Sequence, residues 1–499
     1  MLRKLSIGFL TFVSLFLCGI GSSYLLTAQP DLPDAQKPFA GWTKPPAALF
    51  ITGNQHGYIE PCGCTGLVNQ KGGLMRRHTL LNAFLAKNWN IAPVDAGNQV
   101  RRIGKQAEAK FQSTAGAFRA MGYRGVGFGL DDLKLSSGEI TAALVDSLDG
   151  DGKSDLFVCA NVDVLGFVPK QRILELGGKK IGLTAILGSE DVKHLNNPDY
   201  ETSSPSDALS AVIPQLVAAK CDYIVLLAHT SPEESEALAK QFDAIDFVIC
   251  AGGHSEPLYK PEDVEGAHAK LIRTGKKGMY VGVLGFFDDP QTPVRYQRLA
   301  LDSKFQDSPD MVQMMQEYQD KLKTQGLAGL GLTPVRHSRG EGYEFVGSET
   351  CGDCHTSAYE KWKNTPHSHA TESIVHPPER TQIARHFDPE CISCHVTGWN
   401  PQAYFPYASG YVDLDQSKHL HGNGCENCHG PGSMHVKAEL GEIDVTQEKQ
   451  RALQLEMRLP LDRAHDVCLE CHDLDNSVEF HEDGAFERYW KEIEHKGLD

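Results

Sequence analysis

The chain has 499 residues, 41% of them hydrophobic, which is enough for two or three domains that each bury a core. Its formal net charge is −17 at pH 7, from 48 Lys and Arg against 65 Asp and Glu. That balance argues against nucleic acid and anionic lipid surfaces as partners, and favours encounter with basic patches on other proteins.

In chain order, residues 1–30 carry Arg3 and Lys4, then an uncharged apolar run from Ser6 to Leu26. Such a leader is an export signal peptide or, since about 20 apolar residues can cross a bilayer, an uncleaved N-terminal membrane anchor. Cys18 stands where a lipidated cysteine could, but the large Leu17 before it argues against lipidation. Residues 31–46, rich in Pro, Ala and charge, read as a linker. Nothing after residue 30 is long and apolar enough to span a membrane.

From Ala47 short apolar runs alternate with helical stretches. Strands are expected at 48–52, 91–94, 125–128, 155–158, 181–186, 222–227, 247–249 and 280–286, and amphipathic helices at 72–86 and 205–219. The alternation predicts an α/β layered domain over 47–302. Residues 303–342 read as a connecting helix and linker. Met311, Met314, Met315, Tyr318 and Leu322 recur at helical spacing as a packing stripe, and the Gly-rich 326–331 closes the helix.

In the last third Cys-x-x-Cys-His occurs four times: Cys351, Cys354 and His355; Cys391, Cys394 and His395; Cys425, Cys428 and His429; Cys468, Cys471 and His472. That spacing places two thiols to form thioethers with one haem and the next histidine to reach its iron as proximal ligand. Zinc sites also use paired cysteines but do not require a histidine after every pair. Residues 343–499 are thus expected to hold four covalently bound c-type haems in a mainly α-helical, loop-rich multihaem cytochrome c domain. The macrocycles would supply much of its core. Covalent haem attachment of this type is completed outside the cytoplasm, so the motifs and the leader both point to the periplasm or the outer face of the cytoplasmic membrane.

This third resembles the cytochrome c-554 type of multihaem cytochromes. The resemblance rests on Phe345 to Cys351 with Trp362, His367-Ser-His369-Ala370, the segment Gly422 to His435 containing Cys-Glu-x-Cys-His-Gly-Pro-Gly, and Cys468 to His472 with Ile493-Glu-His495. It implies His369, His435 and His495 as distal iron ligands. Three distal histidines for four irons leave one haem that could be five-coordinate and bind a small ligand. His367, His376, His386, His419, His421, His465 and His481 could each fill the gap, although for any one of them a local or propionate contact is the plainer role. Trp362, Tyr404, Phe405, Tyr407 and Trp490 read as haem packing.

Residues 48–301 resemble the metallophosphatase half of periplasmic 5′-nucleotidases. The matching stretches are Ile51 to Gly57 with Glu60-Pro61, Gly72 to Arg77, Asp95 to Asn98, Gly129 to Asp132, Leu227 to His229 and Gly252 to Glu256. A two-metal phosphatase needs carboxylates to hold two dications. Here the family's first aspartate is Asn54, its bridging aspartate is Asn98, and its Asn-His pair is Leu130-Asp131. A dinuclear hydrolase is therefore not expected. A vestigial site for one further metal ion would draw on His56, His229, His254, Glu256, Asp131, Cys62 and Cys64. Of the five cysteines outside the leader and the haem motifs, Cys62, Cys64, Cys159, Cys221 and Cys250, one or two disulfides are the default in an oxidising compartment, and a thiolate-histidine site is the alternative.

The expected function is electron transfer between redox proteins, with the metallophosphatase-like domain docking a partner or holding one metal. A haem enzyme acting on a small nitrogen or oxygen species at an open iron is the alternative, and a metal-dependent phosphoesterase is a second one.

Overall fold

The computed structural model describes residues 38–61, 70–253, 256–378, 381–474 and 476–497. The leader, Cys62, Cys64 and His254 lie outside the described residues. The chain divides into two compact units, 1–41 and 42–499, and everything below concerns the second.

Its first part is a layered α/β fold built on two facing sheets. One sheet joins β1 (Ala47–Thr52), β2 (Ile91–Asp95), β11 (Tyr280–Phe286) and β12 (Val294–Ala300) in the order β12-β11-β1-β2. The other contains β4 (Arg172–Leu176), β5 (Lys179–Leu187), β7 (Tyr223–His229), β8 (Phe247–Cys250), β9 (Glu262–Asp263) and β10 (Lys270–Arg273) in the order β4-β5-β7-β8-β10-β9. The short β3 (Val162–Val164) and β6 (Tyr200–Thr202) pair apart from both. β5, β7, β8 and β10 run parallel, each buried on both faces, which explains why their sequences read as continuous apolar runs.

Leu49, Ile51, Val94, Leu284 and Phe286 from the first sheet interdigitate with Leu183, Val225, Leu227, Ile249 and Ile272 from the second. On the far side of the second sheet lie the helices Pro205–Ala218 and Pro232–Gln241, whose Leu209, Leu216 and Leu238 cover Ile224, Leu226 and Val248. Each such buried aliphatic side chain contributes about 1.5–3 kcal/mol. Both helices start on a serine cap, Ser204 accepting from Asp207 N and Ser231 accepting from Glu234 N, each at 3.1 Å.

Two expected strands, 125–128 and 155–158, form only isolated bridges, Asp95 to Val126 and Val126 to Phe157. They still prolong the β2 edge through bonds such as Val126 N to Leu156 O at 2.9 Å. The glycines expected to sit in a strand instead allow close approach: a Cβ on Gly125 would lie 2.2 Å from Leu183 Cδ2.

The expected connecting helix runs Pro309–Gly329, with a break at Gly326 (φ 59°). Its Met311, Met315, Tyr318 and Leu322 are buried. The remainder is helical and loop-rich, with short helices and a two-stranded pairing of Trp399–Asn400 with Phe405–Pro406. Its apolar core is small: Phe345, Ile392, Val396, Trp399, Tyr411 and Leu420. Among the described residues no helix is long and apolar enough to cross a membrane.

Candidate functional site

The four Cys-x-x-Cys-His motifs lie on or at the end of short helices: Ser348–Gly352, Pro389–His395, Cys425–His429 and Leu461–Leu469. A helical turn sets cysteines three apart, and the histidine one further on, along one side. His355 N donates to Cys351 O at 2.9 Å and His472 N to Cys468 O at 2.8 Å, so the turn continues to the histidine. The motifs are neighbours in space, with Cys351 hydrogen-bonded to Cys425 and Cys394 to Cys471. A cavity of about 1230 Å³ runs among them, lined by Cys391, Cys394, Cys428, Cys468, Cys471, His395, His429 and His472.

Three of the motif histidines face a second histidine from elsewhere. Ring centroids are 6.2 Å apart for His355 and His435, 5.7 Å for His429 and His495, and 6.0 Å for His472 and His367. The ring facing His472 is that of His367, while His369, one of the three expected distal ligands, makes no such pair among the described residues and also lines the cavity. Both lie on the 3₁₀ turn Pro366–His369, in which residues two apart point in different directions. Asn423 N donates to His367 O at 2.9 Å and holds that residue inward, while His369 is exposed. Among the described residues His395 makes no histidine ring pair. His376 bonds Glu372, His421 bonds Leu414 O, His481 bonds His472 O and His465 packs on Phe480 and Phe486, so these are engaged locally.

The second nitrogen of several rings is fixed. His395 Nδ1 donates to Ala370 O at 2.8 Å, His429 Nδ1 to Met457 O at 2.7 Å and His495 Nδ1 to Ile493 O at 2.9 Å. His472 Nδ1 lies 3.0 Å from Ser477 Oγ. Such a bond selects the tautomer that leaves Nε2 with a lone pair. Burial also lowers the pKa of His367, His395 and His429, and pushes His472 down to about 4, which keeps these imidazoles neutral.

Glu426, inside the third motif, is buried and accepts from Val346 N and Gly347 N, at 3.0 and 2.8 Å, and from Gly432 N at 2.7 Å. It ties the start of the cysteine-rich region to the loop after His429. Arg339 then donates to the carbonyls of His429 and Glu456, each at 2.7 Å.

In the layered region the residues in the phosphatase ligand positions make internal hydrogen bonds. Asn54 Nδ2 donates to Ala251 O at 2.6 Å and Gly275 O at 2.9 Å. Asn98 Oδ1 accepts from Asp131 N at 3.3 Å, and Asp131 pairs with Lys134 at 3.0 Å. Asp132 accepts from Asn98 N, Val100 N and Gly129 N. Burial pushes its carboxyl up to about 8 against those three donors. Of the residues expected to form the vestigial metal site, Cys62, Cys64 and His254 lie outside the described residues. Glu256 turns to Arg298 at 3.6 Å, and His229 Nε2 lies 3.9 Å from Asp191, with the Asp131 charge also bearing on the ring and Nδ1 buried without a hydrogen bond. Among the described residues no three His, Cys, Asp or Glu side chains come together to hold a metal ion. The reason is local: amide donors reaching carbonyls take the place of carboxylates reaching dications. Cys159, Cys221 and Cys250 are free thiols, so the disulfide expectation does not hold among these three.

Residues 350–430 match the family model for cytochrome c554 and c-prime. The C-terminal region is cytochrome c554-like. A cytochrome c-554 of Nitrosomonas europaea is 33% identical over 97 residues, which are 18% of this chain and 39% of that protein. An apyrase of Aedes aegypti is 26% identical over 196 residues, covering 34% of this chain and 35% of its own length. The chain therefore spans well under half of either relative. A 5′-nucleotidase precursor of Thermus thermophilus superposes with a TM-score of 0.47 at 17% identity, covering 56% of this chain and 59% of the other.

The residues of the cytochrome c554-like region fit c-type haem. Cys391 with Cys394 and Cys468 with Cys471, each pair beside a neutral imidazole, line one cavity, and the His355 and His435 Nδ1 atoms are buried without a hydrogen bond while their rings face each other. Sequence reasoning named His367 among the histidines that could fill an open distal position but gave the resemblance-implied role to His369. It missed the charged side chains of the layered α/β region that reach the second motif, because nothing local in Glu60, Arg102 or Lys110 marks them.

Proposed function

We propose that this protein is an exported electron carrier with four covalently bound c-type haems. Cys351 and Cys354, Cys391 and Cys394, Cys425 and Cys428, and Cys468 and Cys471 would form the thioethers, with His355, His395, His429 and His472 as proximal iron ligands. In this reading residues 47–302 form the nucleotidase-like domain, 303–342 the connector and 343–499 the tetrahaem domain.

The three facing histidine pairs carry the reading. An imidazole nitrogen binds a metal at about 2 Å, so two imidazoles across one iron have ring centres about 6 Å apart. The observed 5.7, 6.0 and 6.2 Å are close to that span and support His495, His367 and His435 as the residues that would serve as distal ligands. Bound haem supplies one-electron storage at iron. The chain supplies the rest: thiols that fix orientation, carbonyl acceptors that fix tautomers, and an acidic surface that guides encounter with redox proteins. The leader supports export, and the nucleotidase-like domain serves as a docking module.

His395 favours a second reading. Its Nδ1 is held by Ala370 O and, among the described residues, no imidazole stands opposite it, which suits an open iron able to take a small nitrogen or oxygen species.

The test is iron content and electron paramagnetic resonance on protein matured in a host that attaches c-type haem. Four irons per chain with three low-spin signals and one high-spin signal are expected. Fewer than four covalent haems would overturn the tetrahaem reading, and four low-spin haems would overturn the open-iron one.

A further inference from the structure

The nucleotidase-like region sends charged side chains to one short segment of the cytochrome c554-like region, residues 385–394, which ends in the second Cys-x-x-Cys pair. Lys110 Nζ donates to Glu390 Oε2 at 2.6 Å, and Arg102 lies 3.4 Å from Glu390 Oε1. Gln106 Nε2 donates to Asp388 Oδ1 at 2.5 Å, and Asp388 caps the helix that carries Cys391. Glu60 takes the Arg385 guanidinium at two points, 2.7 and 2.5 Å. Arg102 also stacks on Tyr404, with its guanidinium carbon 3.7 Å from the ring centroid.

The Lys110, Glu60 and Arg385 side chains are 11, 14 and 12% exposed, where solvent screens little, whereas Glu390 and Arg102 are 31 and 40% exposed. Lys110, Glu60, Arg385, Asp388 and Glu390 all line the cavity that Cys391, Cys394 and His395 also line. The fixed charges around this attachment point therefore come in matched pairs, with one partner of each main pair donated by the other region.

We infer that Lys110, with Arg102, sets the reduction potential of the haem held at Cys391, Cys394 and His395, making the nucleotidase-like region an electrostatic regulator of one site in the array. This rests on the haem assignment above. Reduction adds one electron to the iron, so a nearby cation favours the reduced state and raises the potential, and a nearby carboxylate lowers it. Removing one partner of a buried pair leaves the other uncompensated, which fixes the sign of each change.

The experiment is a potentiometric titration of the full-length holoprotein, followed by visible and paramagnetic resonance spectra that separate the haems. Lys110→Met is expected to move one haem to lower potential, Glu390→Gln to move the same haem to higher potential, and the double variant to return it toward the parent value. Lys110→Arg keeps the charge and should keep the potential, which separates loss of charge from loss of fold. Unchanged potentials, shifts of the same sign in both single variants, or equal shifts of every haem would overturn the inference. Peptide mass mapping of Cys391 and Cys394 separates the two failures. No haem there removes the assignment, whereas haem present with unmoved potentials removes the regulator.

Discussion

His367 and His472 stand with ring centroids 6.0 Å apart and planes inclined at 55°, while His369, two residues further on, is exposed. His472 also stacks on Phe480, at 4.8 Å and 21°. One face of the His472 ring is thus covered by Phe480, and the histidine facing it is decided by one turn of 3₁₀ helix.

Replacing His367 with Ala should convert one low-spin haem to high spin, and His369→Ala should leave the spin states as they are. Paramagnetic resonance of the ferric protein reads this directly. The reverse pattern would restore His369 as the ligand.

Glu426→Ala should destabilise the cytochrome c554-like region by about 3 kcal/mol or more, because it strands the buried amides of Val346, Gly347 and Gly432 at about 1–3 kcal/mol each. Glu426→Gln keeps one acceptor oxygen and should cost less. Denaturant unfolding of the holoprotein, monitored in the haem absorbance, measures both.

His229 ties stability to pH. Burial lowers its pKa from 6.5 to about 4, so the native state keeps it neutral where the unfolded chain has already taken up a proton. The unfolded state therefore binds more protons between those values. The stability is fully present above about pH 6.5 and is lost as pH falls toward 4, at about 1.4 kcal/mol per pH unit. His229→Leu should flatten that part of the curve in denaturant midpoints measured across the window, and an unchanged slope would assign it to other groups.

Restoring the phosphatase carboxylates should not restore a phosphatase. Asn54→Asp would turn two donated hydrogen bonds into a carboxylate facing the Ala251 and Gly275 carbonyls, a loss of about 2 kcal/mol or more. The Asn54→Asp, Asn98→Asp double variant is expected to show no turnover of a phosphate ester with added Mn, Zn or Co. Thermal unfolding and a colorimetric ester assay give the two readouts.

Much of this molecule was legible without coordinates. Apolar runs such as 181–186 and 222–227 announced parallel strands buried on both faces, and the stripe Met311, Met315, Tyr318 and Leu322 announced a packed helix. Segments 125–128 and 155–158 looked alike in sequence but formed only single bridges, since bridge or strand depends on how a neighbouring chain passes over Gly125.

The sequence by itself determined what is local. Cysteines three apart with a histidine next to them carry their chemistry in their spacing, and Asn54, Asn98 and Leu130 bring no carboxylate for a dication by side-chain type alone. Only the tertiary structure decided what depends on distant segments meeting. It set His367 rather than His369 opposite His472, left His395 without a facing imidazole among the described residues, turned Glu256 toward Arg298, and brought Lys110, Arg102 and Glu60 to the segment before Cys391. A side chain's type limits which bonds it can make, but its partner is set by long-range packing, which no short window of sequence contains.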